Sequence, residues 1–325
     1  MSPTLAELAV VVVTWHNAAD VPPLLASLAP ARAAGAELTV VDNASGDDTV
    51  ALVRTAAPDA RVIVNAENHG FAVAANQGFR ASARPFVLFL NPDTEVAPDA
   101  LPRALAYLVA HPSFAVVGCR TLNEDGSPQP TVDRFHSVRG LVIQAVRERR
   151  GLAPRPRGAA PEASGPVDGV YGSFLLARRA ALDAVAGFDE AYEMYGEDLD
   201  LCHRLHGAGF GVGYCAEATV VHRGNRSGAH RYGPGRDVAV LRGTLRFFRR
   251  RRGRLAELGF RAAAGAGFAC KALLNLLAPG GEISAAKRAR RYGAMAWLCL
   301  IGDPAGRRAD RARLRARGAP GIEGP

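Results

Sequence analysis

Leu8–Val13 (LAVVVV) is an unbroken run of apolar, mostly β-branched residues. That is the pattern of a strand covered on both faces. Leu38–Val41, Arg61–Val64 and Phe86–Leu90 repeat it in shorter form. Leu24–Leu28, Asp47–Thr55 and Ala72–Ala83 lie between these runs and read as helices, the second with Ser45 as its expected N-cap and Asp48 three residues on. Strands alternating with helices predict βαβ units and a parallel sheet. A polar stretch follows each strand: Thr14–Asn17, Asp42–Ser45, Asn65–Gly70 and Asn91–Glu95. In an open α/β sheet these positions are the carboxyl ends of the strands, where ligands bind.

Further along, Pro98–His111 predicts a helix and Ala115–Cys119 a strand. Residues 123–166 break the pattern, with Asn123–Pro130 (NEDGSPQP) and the Pro-, Gly- and Ala-rich Ala153–Pro166. They predict a long, partly mobile connection with a helix at Val138–Arg149, of the kind that forms functional lids. Order resumes at Val170–Ala177, a short helix at Arg179–Val185, a helix at Glu197–Leu205 and a strand at Val212–Val221. Beyond Gly233 the apolar blocks Val238–Leu258, Phe268–Leu277 and Ala294–Ile301 alternate with basic clusters, the pattern of basic amphipathic helices.

The 325 residues suffice for two domains. Charge divides the chain. Residues 231–325 carry 21 Lys+Arg against 6 Asp+Glu, whereas residues 1–230 carry 19 against 25. The expected division is therefore 1–230 as an α/β domain and 231–325 as a basic helical tail. Five scattered cysteines without a CxxC pair argue against a disulfide scaffold and a cysteine zinc site. Met1–Leu8 has no basic leader, and no run reaches the roughly 20 apolar residues of a membrane span. The expected location is the cytoplasm.

Four groups of residues carry candidate chemistry. Asn91-Pro92-Asp93 directly follows the strand Phe86–Leu90. A carboxylate there could hold Mg²⁺ or Mn²⁺ against a diphosphate, although Asn-Pro-Asp also makes an ordinary turn. Glu197, Asp198 and Asp200 open a helix after Tyr195-Gly196. Acids at a helix start offset the helix dipole, but one held in a crevice could act as a general base. His222 ends a strand and becomes a metal ligand only if the fold brings it to Asp93. Thr14–Asn17, Asp42–Ser45 and Asn68–Gly70 through Asn76–Gly78 supply polar loop residues, and no GxGxxG or Walker loop accompanies them.

Taken in order, VVVTWHN, TVVDNASGD, NAENHGFAVAANQG, VLFLNPDT, GSFLLARR, MYGEDLDLCHRL and VVHRGNRS resemble the family 2 glycosyltransferases. The nearest likeness is to the bacterial rhamnosyltransferase-like branch. The match runs from about Leu8 to Ser227. It implies a GT-A fold, a Rossmann-like nucleotide-binding half continuous with an acceptor half. By the resemblance, Asn91–Asp93 stands at the family's metal-binding DxD motif, with Asn91 in place of the first Asp, so ligation falls mainly on Asp93. His222 completes the metal site, and Asp198 is the catalytic base, with Glu197 beside it. Asp42 contacts the base or ribose, and Thr14, Asn17, Asn68 and Asn76 line the donor pocket. The implied activity is an inverting, metal-dependent transfer of a hexose from a nucleotide-sugar donor to a glycan or polyprenyl-diphosphate-linked acceptor. dTDP-rhamnose is the expected donor; UDP-galactofuranose, UDP-galactose and UDP-N-acetylhexosamine are alternatives, as is an inactive binding module.

The tail admits three readings. Arginines in such number would bind nucleic acid phosphates, but apolar and aromatic residues between the charges fit an anionic membrane surface better. A solvated helical extension is the third. The expectation is no nucleic acid, and peripheral attachment to the inner face of the cell membrane through Arg249–Arg252, Lys287–Arg291 and Arg307–Arg317, with Phe247, Phe248, Leu273, Leu274 and Trp297 entering the headgroup boundary.

Overall fold

The computed structural model describes residues 4–137, 161–224, 233–277 and 283–303, with Gly140 and Ile143. Ser227, Arg307–Arg317, nearly all of the helix expected at Val138–Arg149 and the start of Ala153–Pro166 lie outside the described residues. Two compact units emerge. One takes the described residues of Met1–Phe135 and Pro156–Pro234, and the other those of His136–Arg155 and Gly235–Pro325.

The first unit begins with the alternation the sequence predicts. Strands β1 (Leu8–Thr14), β2 (Glu37–Asp42), β3 (Arg61–Val64) and β4 (Phe86–Leu90) alternate with helices α1 (Val21–Ala33), α2 (Thr49–Ala56) and α3 (Phe71–Arg80). A short strand β5 (Thr94–Val96), helix α4 (Ala100–Ala110) and strand β6 (Phe114–Leu122) follow. Then come β7 (Val132–Asp133), β8 (Gly165–Val167), β9 (Gly169–Val170), β10 (Phe174–Arg178), α5 (Arg179–Ala184), α6 (Glu197–Gly207) and β11 (Gly211–His222). The main sheet runs β3-β2-β1-β4-β10-β6-β11-β5, with β8 on β11. Strands β1 to β4 pair in parallel. β10 inserts antiparallel between β4 and β6.

The apolar runs of β1 and β4 are continuous because both faces of the sheet are covered. Leu8, Val10, Val12, Phe86, Leu88 and Leu90 pack with α1 and α4 on one side. Val11, Val87 and Phe89 pack with α3, α5 and α6 on the other. The period-2 alternation of a strand divides one run between two cores. Fully burying each such side chain contributes about 1.5–3 kcal/mol.

Three local expectations change. Helix α2 starts at Thr49, and Asp47 accepts from the Thr49 backbone and hydroxyl. Ser45 does not cap it; its hydroxyl turns back to Asp42. Residues 123–130, the start of the connection expected to be long and partly mobile over 123–166, form an ordered hairpin. Asn123 N–H donates to Ser127 O at 2.8 Å and Gln129 N–H to Thr121 O at 2.8 Å. Thr131 Oγ1 then donates to Cys119 O at 2.8 Å. Strand β5 sits where the sequence shows only a polar stretch, and pairs antiparallel with the end of β11.

The second unit contains helices α7 (Arg236–Phe247), α8 (Arg254–Leu276) and α9 (Ile283–Ile301). The single block expected at Val238–Leu258 is interrupted. A π-turn at Phe248–Arg252 leads to Gly253, whose φ of 86° is open to glycine and costly for other residues. Leu241, Leu245, Phe248, Phe260, Ala264, Met295 and Leu298 form the core. Phe247 and Phe248 are buried, so the two aromatics expected to enter a membrane are core residues instead. No described helix is long and apolar enough to cross a membrane.

Candidate active site

The carboxyl ends of the strands carry the predicted polar loops. Thr14 and Asp42 are register partners across β1 and β2, and Thr14 Oγ1 donates to Asp42 Oδ1 at 2.8 Å. Asp42 also accepts from Ser45 N–H at 2.8 Å and Ser45 Oγ at 2.6 Å. Its side chain is 0% exposed. Asp42 therefore anchors the 42–45 loop from within, where the resemblance implies contact with base or ribose. His16 and Ala44, at the tips of these two loops, both hold positive φ, 56° and 64°. For non-glycine residues that conformation is strained, and such strain concentrates at functional loops.

Asn17 is also inward. Its Oδ1 accepts from Trp15 N–H at 2.8 Å and its Nδ2 donates to Asp20 at 2.9 Å. Asn68 accepts from Gly70 N–H at 2.9 Å, closing a turn. Gly70 has φ 85°, and a Cβ there would lie 2.6 Å from Glu193 O, so no other residue fits. Asn76 does not reach this loop cluster. Its amide bonds both the N–H and the carbonyl of Phe188, each at 2.9 Å, and clamps the turn after α5. Asn43, Asn65 and Gln77 fall within the polar stretches noted in the sequence, which gave them no individual role. Asn65 and Gln77 exchange reciprocal amide bonds at 2.9 and 3.0 Å, and Asn65 also donates to Asn43 Oδ1 at 2.9 Å. Composition carries no signal separating these amides, two in loops and Gln77 in α3, from their neighbours.

Asn91, Asp93 and His222 do converge. Pairing of β5 with β11 sets His222 opposite Thr94. His222 Nε2 lies 3.1 Å from Asp93 Oδ1 and 3.2 Å from Asn91 Nδ2. Asp93 and His222 are both buried, at 4% and 8% exposure. One carboxylate oxygen and one imidazole nitrogen at this spacing fit a Mg²⁺ or Mn²⁺ ion that completes its shell with phosphate oxygens and water. Among the described residues no third His, Cys, Asp or Glu joins a metal-holding group.

The three acids of α6 have separate fates. Asp200 is fully buried and pairs with Arg204 Nε at 2.7 Å and Tyr192 Oη at 3.0 Å, a structural ion pair. Glu197 is buried, and its Oε2 has no hydrogen-bond partner. Burial, then the adjacent Asp198 charge, pushes its carboxyl up to about 8. Asp198 is only partly buried. Its oxygens accept from Leu199 N–H at 2.7 Å and Gly172 N–H at 3.1 Å. Desolvation raises its carboxyl to about 6 against the pull of those two bonds, and the Asp133 charge adds to the rise. The helix-start position alone would keep Asp198 at an ordinary carboxylate value; burial overrides it. Tyr195 and Gly196, φ 69° and 92°, turn the chain into this helix.

His203 and His206 are structural, edge-on to Phe135 with ring centroids 5.0 and 5.3 Å away.

Residues 9–185 match the family described as Glycosyl transferase family 2. The chain is 25% identical over 222 residues to the low-salt glycan biosynthesis hexosyltransferase Agl10 of Haloferax volcanii, covering 67% of each chain. It is 31% identical over 240 residues to an N-acetylglucosaminyl-diphospho-decaprenol L-rhamnosyltransferase of Mycobacterium tuberculosis, covering 66% of this chain and 75% of that one. Its fold is similar to that of a mannosyltransferase from Pyrobaculum calidifontis solved with GDP-Man and Mn²⁺. That alignment has a TM-score of 0.52 at 20% identity and covers 95% of this chain and 80% of the other. The family match spans more than half of the sequence, and the fold and motifs agree with it: the chain belongs to glycosyl transferase family 2, with a GT-A fold and rhamnosyltransferase-like motifs.

Proposed function

We propose that the chain is a metal-dependent inverting hexosyltransferase, with dTDP-rhamnose as donor and a hydroxyl of a cell-envelope glycan or polyprenyl-diphosphate-linked acceptor as target. The observation that carries the reading is the meeting of Asp93 and His222 at 3.1 Å beside Asn91. Residues from two distant segments bring one carboxylate and one imidazole together at a strand end. The rhamnosyltransferase name of a 31% identical relative supports the donor and the class of acceptor.

Asp93 and His222 would hold Mg²⁺ or Mn²⁺, which when bound supplies Lewis-acid stabilisation of the leaving nucleoside diphosphate. Asp198 is the base. It is the least buried of the three acids that open α6, and Gly172 and Leu199 fix its orientation. It accepts the acceptor hydroxyl's proton as that oxygen attacks the anomeric carbon, and one displacement inverts the configuration. Glu197 is protonated at neutral pH and does not compete for that proton. Asn17, Asp42 and Thr14 shape the donor-side loops, and Asn68 with Gly70 brings backbone close to the donor.

The same reading has the enzyme attached to the inner face of the membrane. Leu273, Leu274, Leu277 and Trp297 are exposed in the second unit, near Lys271, Arg288 and Arg290 in sequence. Apolar side chains beside basic ones suit an anionic lipid surface, where each cation adds about 1 kcal/mol.

The test is nucleoside-diphosphate release from a panel of nucleotide sugars with Mn²⁺ or Mg²⁺ and a polyprenyl-diphosphate-linked acceptor. Turnover confined to dTDP-rhamnose supports the reading. Turnover with a UDP-sugar instead replaces the donor, and none with any donor leaves a binding module.

A further inference from the structure

We infer that Gln129 is a positioning residue that fixes the tautomer of His222 and so presents the Nε2 lone pair to a divalent cation. The inference rests on the proposed metal role of Asp93 and His222. Gln129 Oε1 lies 2.5 Å from His222 Nδ1. Gln129 Nε2 donates to the backbone carbonyl of His222 itself at 3.1 Å and to Asn123 Oδ1 at 2.8 Å. A backbone carbonyl can only accept, so the amide nitrogen must face it. The amide oxygen is then the atom facing Nδ1, and a neutral imidazole must carry its proton there. Nε2 is left as the acceptor, turned toward Asp93 Oδ1 and Asn91 Nδ2. One residue's carbonyl thus sets the rotamer of the amide that sets the same residue's ring.

The clamp is itself held. Asn123 Nδ2 donates to Ser127 Oγ at 2.9 Å, and Ser127 Oγ donates to Asp125 Oδ1 at 2.5 Å. The chain of bonds runs the length of the 123–129 hairpin. That Pro- and Gly-rich segment thereby carries an amide to the far side of the ring. Fixing a ligand's ring by bonding its other nitrogen orients the lone pair before the ion arrives. Removing such a partner weakens metal binding by roughly 10–100-fold.

Two measurements on the full chain test this. The first is the imidazole ¹⁵N spectrum of His222 at a pH of about 8.5, above the ordinary imidazole range, with the signal assigned by His222→Ala. The wild type should show Nδ1–H, and Gln129→Met, which keeps length but cannot accept, should show a mixture. The second is Mn²⁺ affinity by titration calorimetry in the presence of nucleoside diphosphate. Gln129→Met should bind about 10-fold more weakly or worse. Unchanged signals from the other histidines show that the variants are folded. Nε2–H in the wild type overturns the inference. If His222→Ala weakens Mn²⁺ binding and Gln129→Met does not, the metal reading stands and the clamp falls. If His222→Ala leaves Mn²⁺ affinity unchanged, the metal reading falls and the purpose given to Gln129 falls with it.

Discussion

The backbone N–H of Gly172 donates to Asp198 Oδ2 at 3.1 Å, and the carbonyl of the next residue, Ser173, accepts from Asn91 N–H at 3.2 Å. Two consecutive residues leading into β10 therefore tie the carboxylate of α6 to the loop that carries Asp93. Gly172 has room for this approach: a Cβ there would sit 4.0 Å from Asp198 Oδ2 and 3.9 Å from the Phe71 ring. The tie gives a physical route by which the proposed base and the proposed diphosphate-binding loop keep a fixed relation.

Asp198→Asn should abolish transfer and leave donor binding nearly intact, because the amide keeps the size of the carboxylate and cannot take a proton. The wild-type rate should fall about tenfold per pH unit below about 6, where the raised Asp198 carboxyl becomes protonated. A folded Asp198→Asn protein with full turnover would reduce Asp198 to a helix-start acid.

Glu197 gives a stability prediction with a defined sign. Its carboxyl rises from an ordinary 4.5 to about 8 on folding. The folded chain holds a proton that the unfolded chain has lost between those values. The stability this contributes is complete below about 4.5 and disappears as pH climbs toward 8. Glu197→Gln is neutral throughout, so its advantage over wild type should grow by roughly 1.4 kcal/mol per pH unit across that window. Thermal melts of both proteins from pH 5 to pH 8 check this; a difference that stays flat or shrinks contradicts the buried, protonated state.

Asp93→Ala and His222→Ala should each weaken nucleotide binding in the presence of Mn²⁺, and should have much less effect once the metal is chelated. Each variant removes one of the two proposed protein ligands and would leave diphosphate charge uncompensated. Calorimetry with and without chelator separates the cases. A wild-type rate untouched by chelator would remove both assignments.

Asp200→Ala should destabilise the first unit by about 3–5 kcal/mol, the usual loss when one member of a buried pair is removed. Arg204 would keep its bond to Val185 O at 2.6 Å but lose its counter-ion in a setting where its side chain is 16% exposed. Tyr192→Phe deletes one bond to the same carboxylate and should lose about 1 kcal/mol. Urea unfolding measures both, and a near-neutral Asp200→Ala would show that the pair is solvated.

Attachment through the second unit predicts that the protein pellets with anionic vesicles and not with neutral ones, and that high salt reverses binding. Substituting Leu273, Leu274 and Trp297 by Gln should reduce pelleting several-fold with catalysis of a water-soluble acceptor preserved. Equal pelleting on both vesicle types, or none, would return these helices to a solvated role.

The parallel β1–β4 core is legible in the order of residues, because continuous apolar runs separated by helix-period segments admit few other arrangements. So is the Asn91–Asp93 position, since a polar triplet directly after a buried strand must lie at that strand's carboxyl end. The residue pattern, unlike the family resemblance, does not separate Asp198 from Glu197 and Asp200. All three satisfy one helix-start pattern, and in the structure their burial and partners divide them. Asn76 and Asp42 read as ligand-facing polar residues, yet packing turns both inward to Phe188 and Ser45. Phe247 and Phe248 read as membrane aromatics and are buried; the turn at Gly253 leads into α8, whose Phe260 stacks on Phe248. Gln129 carries no signal in a segment of turn residues. Its role exists only because β11 ends beside the 123–129 hairpin and brings an imidazole, a carbonyl and an amide within hydrogen-bond reach. Local pattern fixes which face of an element is buried, whereas contacts between distant segments depend on how the elements pack, and that packing is decided by the whole chain at once.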